Sequence, residues 1–148
     1  KIPYILPVIF LFLVLLQISV GGLVSGLDAG QIYQTWPLMN HSYFPDDSLL
    51  SDLIKLESFN EPSIVQFIHR NLAYFIILIF FIILSFILRD KNLIYLKKSI
   101  FLIFMALSIQ VFLGILTILS GAHIVIASMH QIGSIFLVIV SVILVYKN

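Results

Sequence analysis

There is no cysteine in the chain, which excludes disulfides, thiolate metal sites, iron–sulfur clusters and covalent c-type haem attachment. Charge is nearly as scarce. Only 10% of residues are Asp, Glu, Lys or Arg, against roughly 25% in an ordinary soluble domain. Eight Lys and Arg oppose seven Asp and Glu for a net charge of +1, so the basic stripe of a nucleic-acid module is missing and no nucleic-acid partner is expected. No carboxylate falls inside any long apolar run, which argues against a proton-relay pump. A nucleophile–base–acid arrangement, a phosphate-binding glycine loop and a zinc motif are likewise missing. The chain opens Lys-Ile-Pro-Tyr, without an initiator Met or a small-residue cleavage site, so it is expected to be a piece of a longer protein.

What is present is apolar. The 148 residues are 61% hydrophobic with a mean hydropathy of +1.14, and so few charges could not cover that surface in water. Four runs stand out, at residues 2–27, 63–88, 99–119 and 124–146. Each meets or exceeds the ~20 residues a helix needs to cross ~30 Å of hydrocarbon, and none alternates as a membrane strand would. The expected fold is an all-α, polytopic membrane four-helix bundle, one domain over residues 1–148 with lipid as its main neighbour. With the N-terminus cytoplasmic, Lys1, Arg89, Lys91, Lys97, Lys98 and Lys147 lie inside, and only Lys55 and Arg70 outside. That asymmetry places both termini in the cytoplasm. Asp28, Asp46, Asp47, Asp52, Glu57 and Glu61 gather in the outer connection, 28–62. This loop is long enough to suggest a function. Its stretch after Ser48 alternates Leu49, Leu50, Leu53, Ile54 and Leu56 with Asp52, Lys55 and Glu57, which predicts a short amphipathic helix lying at the interface. Tyr33 and Trp36 suit the headgroup level.

The second and fourth runs each carry a histidine six residues in, His69 and His130. At 1.5 Å per residue both sit roughly 9 Å inside the outer boundary, on helices of the same direction. Ionisable groups at that depth are costly and mark a site in the bundle interior. Two level imidazoles could ligate one haem iron from opposite faces; the plainer alternative is a pair of satisfied core histidines. Small residues surround them. Ala73 lies one turn from His69, Ala127, Gly133 and Ser134 one turn from His130, and the other helices add Gly21, Gly22, Gly26 and Gly114. They would admit a flat macrocycle, with Phe67 and Tyr74 at its edges, or simply close helix packing. Arg70 could pair with a haem propionate or reach the headgroups. Gln17 and Gln110 suit interhelical hydrogen bonds. Each begins a Gln-x-x-x-Gly unit, Gln17 to Gly21 and Gln110 to Gly114, so the chain reads as two hairpins of one plan. His123, at the water boundary, is a reserve ligand, and His41 is a solvated loop histidine.

Val20-Gly21-Gly22-Leu23-Val24-Ser25-Gly26-Leu27-Asp28-Ala29-Gly30, followed by Tyr33 and Thr35-Trp36-Pro37-Leu38-Met39, resembles the first helix and outer loop in the C-terminal half of heme A synthase. Asn60-Glu61, Val65-Gln66-Phe67-Ile68-His69-Arg70 and Leu72-Ala73-Tyr74 are similar to that family's next helix. Gln110-Val111, Leu113-Gly114-Ile115 and His130-Gln131-Ile132-Gly133 resemble its last two. The resemblance implies an eight-helix, pseudo-twofold membrane fold, of which this chain is one half. It implies oxidation of the C8 methyl of heme O to a formyl group, making heme A for cytochrome oxidase in the bacterial inner membrane. On this resemblance the present half holds a heme b cofactor on His69 and His130, with Arg70 beside it, and serves electron transfer. The N-terminal half would be the partner that holds the substrate haem and a glutamate one turn before its own histidine. Gln66 stands at that place here. The chain alone is then not expected to complete the reaction. The loop cysteine pair of some bacterial members is absent, so no redox role for the loop is expected. Two rival readings stay open: a stand-alone bis-histidine b-type cytochrome that only carries electrons, and a haem-free membrane scaffold. A homo-oligomer fits any of the three.

Overall fold

The computed structural model describes residues 3–148; Lys1, counted above among the cytoplasmic charges, lies outside them. Four helices follow in order: α1 Ile5–Gly26, α2 Pro62–Arg89, α3 Lys97–Leu119 and α4 Ile124–Lys147. Among the described residues the fold is all-helical, with a single isolated bridge between Met39 and Ser42. All four helices are long and apolar enough to cross a membrane, and the chain is an integral membrane protein. Helices are the expected solution in lipid, where every backbone polar group must find its partner within the segment.

Local chemistry sets the ends. Pro62 starts α2 at its first helical position, where its missing N–H costs nothing. Asp90 accepts from the Asn92 backbone N–H at 2.9 Å and turns the chain into the short link Lys91–Leu96 before α3. The α3–α4 turn reverses through left-handed backbone at Gly121 and Ala122, with φ of 65° and 59°.

The helices form a ring. α1 packs on α2 and α4, and α3 on α4 and more thinly on α2, so α2 and α4 face each other diagonally. The main cluster of large apolar side chains fills the half of this ring away from the long loop. Phe10, Leu13 and Val14 of α1 meet Ile76 to Ile87 of α2, Ile100 to Leu107 of α3 and Leu137 to Leu144 of α4. In lipid such a core gains close dispersion contacts rather than escape from water. Towards the loop end buried polar residues, Gln66, Arg70 and Gln110, join buried apolar ones such as Val20, Tyr33, Met39, Ile64 and Val65.

The connection from α1 to α2 folds back over that end. A 3₁₀ turn at Ala29–Gln31 leads into an irregular segment with a cis Trp36–Pro37 bond. The amphipathic helix expected after Ser48 is instead two 3₁₀ segments, Leu50–Ile54 and Leu56–Asn60, separated by extended Lys55. Asp52 explains the break: it accepts from the Leu49 backbone N–H at 2.8 Å and binds Lys55 Nζ at 2.7 Å, closing the turn locally.

Candidate functional site

At the loop end, each histidine of the diagonal pair meets the same two residue types on a neighbouring helix. Gln17 of α1 donates from Nε2 to the His69 carbonyl at 3.0 Å, and the same nitrogen lies 3.3 Å from His69 Nε2. With its amide turned so that nitrogen faces the carbonyl, Gln110 of α3 donates to the His130 carbonyl at 2.9 Å and accepts from the Ser134 N–H at 3.3 Å. One turn further on, Gly21 and Gly114 face the rings. A Cβ at either glycine would stand 3.2 Å from the imidazole Cε1, of His69 and His130 respectively. Gln-x-x-x-Gly, read above as the mark of two hairpins of one plan, is therefore a repeated piece of local geometry. Gly133 belongs to it too, because any side chain there would collide with the Gln110 amide.

Both imidazoles are half-buried. His69 Nδ1 is buried without a hydrogen-bond partner, as is Gln17 Oε1 beside it. An unpaired buried ring nitrogen costs free energy unless something binds it. Among the described residues no three His, Asp or Glu gather into one cluster, so a group held at this pair would have at most two imidazoles as protein donors. That set suits a metal whose equatorial ligands come from a macrocycle better than a naked ion, which wants three or four protein ligands. Gly21 and Gly114 let the imidazoles themselves lie close to the neighbouring helix backbones. The residues present thus fit a haem.

Arg70 is buried and turned towards the loop. Its guanidinium donates to the Tyr33 carbonyl at 3.0 Å, the Leu38 carbonyl at 3.3 Å and Gln66 Oε1 at 3.1 Å, while Nε has no partner. Gln66, 1% exposed, donates to the Ala29 and Tyr33 carbonyls at 2.8 and 3.2 Å. Gln66 and Arg70, one turn apart on one face of α2, thus hold the loop at the end of the bundle that carries the histidines. Phe67 packs against Tyr43 and Phe44 of that loop, with ring centroids 5.7 and 4.9 Å away, and Tyr43 donates to Asn71. The loop also reaches the α3–α4 turn, where Gln34 touches Gly121 and Gly30 touches Ala122.

Tyr33 departs from the interfacial position expected of it. It is 3% exposed and donates from its hydroxyl to Asp47 at 3.0 Å. Asp47 also accepts from Ser63 Oγ at 2.6 Å and Ser48 Oγ at 3.1 Å, joining the loop to the first turn of α2. Desolvation alone would raise the Asp47 pKa, but these hydroxyl donors outweigh it and hold it below 3.8. Desolvation and the neighbouring carboxylate push Tyr33 above 10.0. This latch was not foreseen; the acidic run with a tyrosine upstream was the only signal of it. His123 stands at the N-cap position of α4 without a capping side-chain hydrogen bond and is exposed, as is His41.

The COX15-CtaA family profile, described as a cytochrome oxidase assembly protein, matches residues 3–142. A heme A synthase from Pelagibacter ubique (strain HTCC1062) is 46% identical over 148 residues, covering 100% of this chain and 43% of that protein. One from Rickettsia conorii is 37% identical over 137 residues, covering 93% of this chain and 40% of that protein. One from Bartonella henselae is 39% identical over 122 residues, covering 80% and 33%. The chain spans about two fifths of the length of the first two relatives. No solved structure matches it.

Proposed function

The chain belongs to the COX15-CtaA family of cytochrome oxidase assembly proteins, and on that footing we propose that it is the C-terminal half of a heme A synthase, the half that holds a heme b cofactor. The whole enzyme would oxidise the C8 methyl of heme O to the formyl of heme A, with the substrate haem in the N-terminal half. This half serves electron transfer. The observation that carries the reading is the diagonal histidine pair, each imidazole seated on a glycine and each backbone carbonyl held by a glutamine.

His69 and His130 would hold the iron, and Arg70, through its unpartnered Nε–H, would take a propionate carboxylate. When bound, a bis-histidine haem supplies one-electron transfer. The protein residues around it position rather than react. Gln66, one turn before His69, is a neutral amide committed to the Ala29 and Tyr33 carbonyls. It cannot take or release a proton as a glutamate there would, which fits a cofactor role. The loop, tied down by Gln66, Arg70 and Asp47, covers the end nearest the histidines and limits water there. The site would lie near the outer face of a bacterial inner membrane, with both termini cytoplasmic.

The test is a reduced-minus-oxidised visible spectrum of the purified chain supplied with haem, beside His69→Ala and His130→Ala. The expected result is a set of sharp low-spin b-type bands, lost in both variants. Bands that survive either substitution would move the ligand elsewhere, with His123 next to examine. Absence of bands in the parent would overturn haem binding in favour of a scaffold.

A further inference from the structure

We propose that Gln17–Gly21 and Gln110–Gly114 are matched positioning pairs, one for each imidazole, in which the glutamine fixes the rotation of the histidine-bearing helix and the glycine fixes the tilt of the ring. The assignment deepens the ligand-pair reading of His69 and His130 and rests on it for its purpose.

A helical carbonyl has two lone pairs and spends one on its own i+4 N–H. In both halves a glutamine amide from the neighbouring helix also donates to that carbonyl, at 3.0 Å for His69 and 2.9 Å for His130, where the same amide's oxygen shares the i+4 N–H of Ser134. Adjacent residues on a helix point about 100° apart, so a small rotation of α2 or α4 would swing its imidazole off the bundle axis. A bond to the carbonyl of the histidine itself resists that rotation at its most sensitive point.

Position i+4 from each glutamine shares its face, and both helices place glycine there. In both, a Cβ would stand 3.2 Å from the same ring atom, Cε1, so the ring would have to give way by a few tenths of an ångström. Gly22, adjacent on α1, has nothing within 4 Å of its Cβ position, and neither has Gly26. The requirement therefore belongs to two positions and not to a glycine-rich helix in general.

The pairs differ in one respect. Gln17 also lies 3.3 Å from the His69 ring nitrogen, whereas the other end of the Gln110 amide meets the Ser134 N–H. The two imidazoles are thus held alike in backbone but unlike at the ring.

The test uses the full chain in detergent with isotope-labelled histidine, haem-free and haem-loaded. Gly21→Ala and Gln17→Leu should move the ring resonances of His69, Gly114→Ala and Gln110→Leu those of His130, and Gly22→Ala neither. In the haem-loaded chain, Gly21→Ala and Gly114→Ala should shift the low-spin resonance pattern and the midpoint potential with haem still bound. Alanine is the better helix former, so these two variants keep the fold even if a leucine variant does not. An unmoved histidine signal in either alanine variant would overturn the proposal, as would an equal shift from Gly22→Ala. A parent that takes up no haem would overturn the ligand-pair reading alone, because the haem-free spectra still decide this one.

Discussion

Gln66 and Arg70 show how much of the site depends on acceptors that carry no name in a sequence. Their polar ends reach the backbone carbonyls of Ala29, Tyr33 and Leu38, and any residue supplies a carbonyl. Depth and spacing could therefore single out His69 and His130, but could only offer Arg70 a propionate or a headgroup. The guanidinium fork matters here because it serves two separate carbonyls and an amide oxygen at once. A lysine ammonium is a compact point charge and cannot span them. Losing even one hydrogen bond from a charged donor costs about 1.5–3 kcal/mol. Arg70→Lys should accordingly lower the melting temperature in detergent and speed proteolysis between residues 29 and 47. Unchanged proteolysis would mean that the loop is held without it.

At the level of elements, the four membrane helices were plain from hydropathy, while the loop between α1 and α2 was not. Eight residues, little more than two turns, do not separate a period of 3.6 from one of 3.0, so Leu49 to Leu56 reads as an amphipathic helix until Asp52 is seen to close the turn on itself. The loop is organised by Asp47, which joins Tyr33, Ser48 and Ser63. Its pKa is depressed in the folded chain. The stability it contributes is therefore present above the unfolded value of about 4 and lost as pH falls through the folded one. Tyr33 has the opposite sign: its raised pKa gives a contribution present below 10.0 and lost as pH rises beyond it. The latch should hold across neutral pH and open in acid. Protection of the amides of residues 30–48, taken relative to their intrinsic exchange rates, is expected to fall below about pH 4, and Asp47→Asn should flatten that dependence. The same acid response in Asp47→Asn would assign it to other carboxylates.

The molecule as a whole has a direction, and the structure sharpens the sequence argument for it. Arg70 counted as a positive charge at the long-loop end, yet it is buried against carbonyls. Lys55, the other cation there, is paired with Asp52 at 2.7 Å. Arg89, Lys91, Lys97 and Lys98 are exposed at the opposite end. Exposed positive charge near helix ends decides orientation and carboxylates contribute little, so the long loop should face outward. With no native cysteine, each introduced thiol reports without background. A membrane-impermeant maleimide added to intact spheroplasts should label Ser51→Cys in the exposed loop and spare Lys91→Cys until the membrane is opened. The reverse pattern would invert the bundle and place the histidine pair near the cytoplasmic face.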